Sequence, residues 1–280
     1  MIKAVQQFQL RTVTGTQEKA ETTLRLMKEA GYDGIELCGF MIKKMPLMVR
    51  ALTRLAGMPM GRSGNLDWEG LIKASGLKVV SVHEDLGSIL RAPEEMIAEA
   101  ARFGTENIVV TGMYHFDYSD REAVLKLAEQ LNQAGKLLLE GGVRFLYHNH
   151  NCEFRKVEPH KTAYQLLMEK TDPEFVNFEF DSYWPTEAGV DALALMEQLG
   201  NRLKLYHIND RGTRVTGKTG SILKSDSMEL GYGNMNLPAM VESARRNGAE
   251  AVILESHRNW AEKSPIRSFQ LSAGFMNQYV

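Results

Sequence analysis

Only two cysteines, Cys38 and Cys152, occur in 280 residues. That is too few for a disulfide framework, and they lack the paired spacing of a zinc knuckle, so both are read as reduced thiols without a special role. No stretch approaches the roughly 18 consecutive apolar residues of a membrane span. The N-terminus Met1-Ile2-Lys3-Ala4-Val5-Gln6-Gln7 has no apolar signal core, so a cytoplasmic location and no membrane partner are expected. An excess of either charge is missing too. Lys and Arg number 33 against 35 Asp and Glu, a formal net charge of −2, which gives no general attraction to phosphate backbones and argues against nucleic acid as a partner. Also absent are a G-x-S-x-G nucleophile elbow, a P-loop and a glycine-rich turn after the first apolar run, where Arg11-Thr12-Val13-Thr14-Gly15 stands instead. The serine-hydrolase, P-loop and open dinucleotide-binding classes thereby lose their main signatures.

What is there is a soluble globular composition, 44% hydrophobic and 24% charged, long enough for one large core. Eight short runs rich in Val, Ile, Leu, Phe and Tyr read as strands: 2–10, 34–38, 77–83, 107–112, 143–150, 175–181, 203–208 and 251–256. Most are nearly continuous in apolar residues, as parallel strands covered by helices are. Helical patterns lie between them. The spacing predicts helices over 16–30, 93–103, 121–140, 160–169, 188–199, 237–246 and 261–276, with stops at Gly31, Gly104 and Gly141-Gly142 and a first-turn Pro93. A βα unit repeated eight times predicts an α/β fold in which residues 1–280 form a single (β/α)8 TIM barrel. Two stretches interrupt the rhythm. Gly39 to Asp67, rich in Met and basic residues, is an insertion after strand two, read either as a lid or oligomer contact or as a solvated excursion. Arg211 to Asn236 is a long loop rich in Gly, Thr and Ser, with basic Arg211, Arg214, Lys218 and Lys224.

In such a barrel the chemistry sits where strands end and βα loops begin. Strand three ends in His83-Glu84-Asp85, strand five in His148-Asn149-His150-Asn151-Cys152-Glu153 and strand six in Glu179-Phe180-Asp181-Ser182-Tyr183-Trp184. Strand seven ends in His207-Ile208-Asn209-Asp210-Arg211, and strand eight in Glu255-Ser256-His257-Arg258. If 143–150 is one strand, His148 and His150 share a face and line one wall. Buried carboxylates are rare unless paired or bound to a cation. Asp181, His207 and Glu255, each at the last turn of an apolar strand, therefore predict one divalent metal ion, with Mn²⁺ placed first and Co²⁺, Mg²⁺ or Zn²⁺ also compatible with a mixed N/O set. A metal flanked by carboxylates and imidazoles suits proton abstraction next to a carbonyl. Cys152 beside two histidines as an activated thiolate is a minor alternative.

These strand ends resemble the xylose-isomerase-like barrel superfamily of sugar phosphate isomerases and epimerases. The stretches that carry the resemblance are Tyr147-His148-Asn149-His150 with Glu153, Phe178-Glu179-Phe180-Asp181-Ser182-Tyr183-Trp184, His207-Ile208-Asn209-Asp210, Glu229-Leu230-Gly231-Tyr232-Gly233-Asn234 and Ile253-Leu254-Glu255. Upstream, Gly31-Tyr32-Asp33-Gly34-Ile35-Glu36-Leu37 and Gly76-Leu77-Lys78-Val79-Val80-Ser81 fit the same pattern. The resemblance implies metal ligands at Asp181, His207 and Glu255, with His148 in the strand-five place that keto-sugar epimerases usually fill with Glu. One of their two metal-bound glutamates is then missing, so that either His150 or Glu153 substitutes for it as base or the reaction needs only one face, with Glu255 the other catalytic group. The implied activity is isomerisation or epimerisation of a keto-sugar or related polyol through a metal-stabilised enediolate.

The His-x-His ending of strand five is similar to inosose dehydratases as well, which makes β-elimination from a cyclic keto-polyol the alternative. A non-catalytic metal-binding barrel subunit is the third reading, distinguished by a closed four-ligand site. The DNA-repair endonucleases of the superfamily fit poorly, because Trp184 stands where a further His ligand is expected. Trp184 reads either as a sugar-stacking wall or as a core residue. His83 at the end of strand three, with Arg211 and His257, is assigned to substrate binding, although Arg211 and His257 read equally as solvated loop charges. The expected partners are a small sugar or polyol and further copies of the chain in a homo-oligomer.

Overall fold

The computed structural model describes residues 1–43, 63–214, 220 and 222–280. Its eight main strands are β1 (Ile2–Gln6), β2 (Gly34–Cys38), β3 (Lys78–His83), β4 (Asn107–Thr111), β5 (Arg144–His148), β6 (Val176–Asp181), β7 (Leu203–Ile208) and β8 (Ala251–Leu254). They close into a barrel with neighbours in the order β1-β8-β7-β6-β5-β4-β3-β2, the (β/α)8 TIM fold. The continuous apolar runs have the reason expected of them. Both faces of a strand such as Ala251–Leu254 are buried, so no polar alternation survives. Two short antiparallel ribbons are added, Lys156–Glu158 with Lys161–Thr162 and Asp210–Gly212 with Asp226–Met228. Among the described residues no helix is long and apolar enough to cross a membrane.

Contacts group the chain into two compact units. The first comprises Met1, Ser81–Ile208 and Pro238–Val252 and contains β4 to β7. Its longest helix, Arg121–Glu140, starts on Asp120, whose side chain accepts from the N–H groups of Glu122 and Ala123, the sequence signature of an N-cap. That helix comes so close to the start of β6 that a Cβ on Gly135 would overlap the Phe175 carbonyl oxygen. The second unit comprises Ile2–Val80, Asn209–Leu237 and Ile253–Val280. Its first long helix, Gln17–Ala30, is capped by Thr16 and ends at Gly31 with φ 99°, a left-handed position that favours glycine. The buried Tyr32 hydroxyl then donates to the Phe269 carbonyl at 2.8 Å and joins this turn to the C-terminal helix Pro265–Tyr279.

Several predicted elements are corrected. The first strand stops at Gln6 and passes into a 3-10 turn, Gln7–Leu10, with the Gln6 side chain accepting from Phe8 N–H. The helix read over 188–199 begins only at Ala192, where Asp191 caps it, and Gly189 at φ 75° separates it from a further short helix, Tyr183–Glu187. The helix read from His160 begins at Ala163, where Thr162 and Gln165 form a reciprocal capping box. The helices Trp68–Ser75 and Leu86–Arg91 also lie outside the predicted ranges, although Asp67 and Asp85 cap them. Of the insertion 39–67, a short helix Gly39–Ile42 and a 3-10 turn Ser63–Asn65 are seen, while residues 44–62 lie outside the described residues.

Candidate metal centre and its surroundings

The site of the first unit is built on one carboxylate oxygen. Glu179, third from last on β6, points its Oε2 at three imidazoles: His83 Nε2 at 2.9 Å, His148 Nδ1 at 3.0 Å and His207 Nε2 at 3.2 Å. Strand register explains the convergence. His148, the last residue of β5, lies opposite Glu179, and Asp181, the last residue of β6, lies opposite His207 of β7. Between β6 and β7 the register shifts by one residue, so that Phe178 faces Leu203 but Glu179 faces Leu205. Without that irregularity Asp181 would face Tyr206, and the imidazole would point to the other side of the sheet.

All of these groups are withdrawn from water. Glu179 and His207 are 0% exposed, His148 1%, Asp181 2% and His83 8%. Burial on its own raises the Glu179 pKa, but the imidazoles of His207 and His83 and the hydrogen bonds from His148 and His207 hold the carboxyl well below the usual carboxylate range. Its other oxygen, Oε1, is buried without a hydrogen-bond partner among the described residues. The ligand atoms of His83, His148, Glu179 and His207 lie within 4.8 Å of one another, and so do those of His148, Asp181 and His207. Two imidazoles and a carboxylate, buried and convergent, form the mixed N/O donor set that a first-row divalent cation takes. The donor chemistry therefore fits a metal ion. Asp181 is further braced by Tyr183 N–H, which donates to Oδ1 at 2.7 Å.

The strand-five reading needs a correction. β5 ends at His148, whose carbonyl accepts the last rung from Gly112 N–H at 3.1 Å, and the chain then leaves the sheet. His150 is not placed by strand alternation. It nonetheless lies against His148, with ring centroids 5.0 Å apart, and 5.5 Å from the half-buried Trp184 ring, so the three rings pack in sequence.

Glu153 is buried and its oxygens are engaged. Tyr147 OH donates to Oε1 at 3.0 Å, while His150 N–H at 3.0 Å and the Cys152 thiol at 3.1 Å donate to Oε2. Burial raises its pKa against these donors. Tyr147 continues the network to Tyr118 at 2.8 Å, and Tyr118 accepts from Met113 N–H at 2.7 Å. Burial and the neighbouring Glu153 push the Cys152 thiol up to about 12, which disfavours the thiolate that a nucleophile requires.

The remaining predicted residues belong to the second unit. Glu255 follows β8 directly, is 7% exposed, and has Oε1 3.0 Å from His257 Nε2. His257 is half-buried and packs edge-on against Phe8 at 5.6 Å. Arg211 lies in the ribbon after β7, half-buried. Next to it, Asp210 shows why the Glu229-to-Asn234 stretch looks like a motif. Its carboxylate accepts backbone N–H groups from Arg211 at 2.8 Å, Gly231 at 3.0 Å, Gly233 at 2.9 Å and Met235 at 3.2 Å. Glu229 accepts from Arg214 and from Ala261 N–H, each at 2.7 Å. Both acids hold loops.

Sequence reasoning named Glu179 without giving it a role. The available signal was its i, i+2 spacing from Asp181, which puts both on one face of β6. It also passed over Arg11, whose guanidinium stacks over Phe8 at 4.4 Å and donates to the His257 carbonyl at 3.3 Å.

A sequence profile of the family described as "Xylose isomerase-like TIM barrel" matches residues 24–279. An inosose dehydratase of Mesomycoplasma hyopneumoniae is 27% identical over 278 residues, covering 91% of this chain and 86% of that protein. Among solved structures, a sugar phosphate isomerase/epimerase from Parabacteroides distasonis superposes with a TM-score of 0.77 at 20% identity, covering 98% of this chain and 93% of the other. The IolI protein with a bound zinc atom superposes with a TM-score of 0.67 at 15% identity, covering 100% and 99%. At these identities the superpositions establish the fold.

Proposed function

We propose, on the premise that this chain belongs to the xylose isomerase-like TIM barrel family, a divalent-metal-dependent isomerase or epimerase that removes a proton next to the carbonyl of a keto-sugar or related polyol. The observation that carries the reading is the buried convergence of His148, Asp181 and His207, with Glu255 at the end of β8 proposed as the fourth ligand. Mn²⁺ or Co²⁺ suits this set. Such an ion, when bound, acts as a Lewis acid toward the oxygens of the substrate. His148, Asp181 and His207 would hold it, and their burial would limit competition from water.

The proton is moved by His150. Its ring is half-buried and lies beyond the end of β5, and it stands beside Trp184, whose indole offers a flat apolar wall to a sugar ring. Glu153, with its oxygens taken by Tyr147, Cys152 and the His150 peptide, supports that loop from behind. His83, Arg211 and His257 are proposed as substrate contacts.

A second reading is favoured by the inosose dehydratase relative. The same proton removal followed by loss of a β-hydroxyl gives a lyase. One imidazole suffices for the first step of either course, and replacing the usual strand-five Glu with His148 is compatible with both. The experiment is incubation of the purified protein with a panel of keto-sugars and inososes in D₂O. Deuterium on the carbon next to the carbonyl supports proton abstraction, and loss of water from the product selects elimination. An epimerised or isomerised product without solvent deuterium at the former carbonyl carbon or its neighbour would sink the first reading, and turnover with no dehydrated product would sink the second.

A further inference from the structure

We propose that Glu179 is a positioning residue that fixes which nitrogen of His148 and of His207 is presented to the cation, an inference that rests on the metal-dependent reading above. A neutral imidazole carries one N–H and one lone pair, and an ionised carboxylate only accepts. Each nitrogen that meets Glu179 Oε2 is therefore the protonated one: Nδ1 of His148 at 3.0 Å and Nε2 of His207 at 3.2 Å. In the neutral rings that metal ligation requires, this leaves Nε2 of His148 and Nδ1 of His207 as the lone-pair nitrogens. The third contact, from His83 Nε2 at 2.9 Å, completes a ring of imidazoles from β3, β5 and β7 around one oxygen.

Two features favour a support role over a passive buried acid. Glu179 stands two residues before Asp181 on the same face of β6. One strand thus supplies both a ligand and the brace for the two imidazoles that its neighbours β5 and β7 contribute. And the carboxyl, with 0% exposure, has the three imidazoles and no Lys or Arg as hydrogen-bond and ion-pair partners among the described residues. A carboxylate behind a ligating imidazole holds the ring, sets its tautomer and raises its basicity, and its loss commonly weakens metal binding about 10- to 100-fold.

The test has one readout that needs no metal and one that does. In metal-free protein labelled with ¹⁵N-histidine, nuclear magnetic resonance should show His148 protonated at Nδ1 and His207 at Nε2, and Glu179→Leu should lose both preferences. In Co²⁺ titrations, Glu179→Gln and Glu179→Asp should bind about 10- to 100-fold more weakly than the wild type with the same stoichiometry, their far-ultraviolet circular dichroism confirming the fold. Opposite or mixed tautomers in the wild type, or Co²⁺ bound as tightly by the variants, would overturn the proposal. So would a stoichiometry falling from two ions to one, which would make Glu179 itself a ligand. Wild-type protein that takes up no Co²⁺ would overturn the metal-dependent function instead, while the tautomer measurement decides the role of Glu179 by itself.

Discussion

Asn149 and Asp181 hold each other through a reciprocal pair of hydrogen bonds, the Asn149 amide donating to the Asp181 carbonyl at 3.0 Å and accepting from the Asp181 N–H at 3.1 Å. The pair fastens the first residue beyond β5 to the last residue of β6, at the level of the proposed ligands. Asn149→Ala orphans two buried backbone groups, each costing about 1–3 kcal/mol. Denaturant unfolding should show a destabilisation of about 2–6 kcal/mol for the two groups together, with metal affinity lowered as well because Asp181 loses its anchor. A variant as stable as the wild type would show that water takes over both bonds.

Gly112 sits where β4 ends, and a Cβ there would overlap Glu153 Oε1 and lie 3.3 Å from His150 Nδ1. Neither neighbour is the free end of a flexible surface chain. Gly112→Ala should therefore cost about 1–3 kcal/mol of overpacking and lower turnover through displacement of His150, measured by thermal melting and by the D₂O assay.

Removing the cation should abolish turnover. Protein treated with EDTA is expected to be inactive and to recover with Mn²⁺ or Co²⁺. Full activity in a preparation verified as metal-free by elemental analysis would sink the metal-dependent mechanism.

Cys152 gives a pH test. Its thiol is pushed up to about 12 by burial and by Glu153, whereas an unperturbed cysteine titrates near about 8.5. A raised thiol pKa means less thiolate at any given pH below it. Alkylation of Cys152 by iodoacetamide in native protein should stay slow through pH 9 and speed up on denaturation, followed by mass spectrometry of its peptide. Cys152→Ser should retain activity. Rapid labelling at pH 7 would restore the case for an activated thiol.

Asp210 gathers four backbone N–H groups. Asp210→Ala should release the Gly231-to-Met235 turn, with hydrogen exchange there accelerated by about tenfold or more, since one lost hydrogen bond of about 1.4 kcal/mol already gives that factor. Unchanged exchange would mean the turn is held by other contacts.

Much of the fold was legible because the period of apolar residues is a local property. Gly34–Cys38 and Leu203–Ile208 have the predicted bounds, and the helices Pro93–Phe103, Arg121–Glu140 and Leu237–Arg246 do too. The failures have local causes of another kind. Gln6 satisfying Phe8 N–H, Asn149 turning toward β6 and Gly189 at positive φ all end an element while the apolar pattern still runs on. Side chains that bond to backbone compete with the ladder, and periodicity does not register them.

The sequence by itself determined the barrel, through eight apolar runs separated by helical stripes, and determined which strand ends carry polar groups, because a carboxylate or imidazole ending an apolar strand is conspicuous. It did not determine their depth or their pairing. That the Glu179 carboxylate meets three imidazoles follows from strand register, and the one-residue shift between β6 and β7 is invisible in composition. That Glu153 is walled in by Tyr147 and Cys152 while His150 stays half-buried depends on where the chain leaves β5. Alternation says which residues share a face. Only the packed ring says which of them meet, because hydrogen bonds and burial are fixed by residues far apart in the chain.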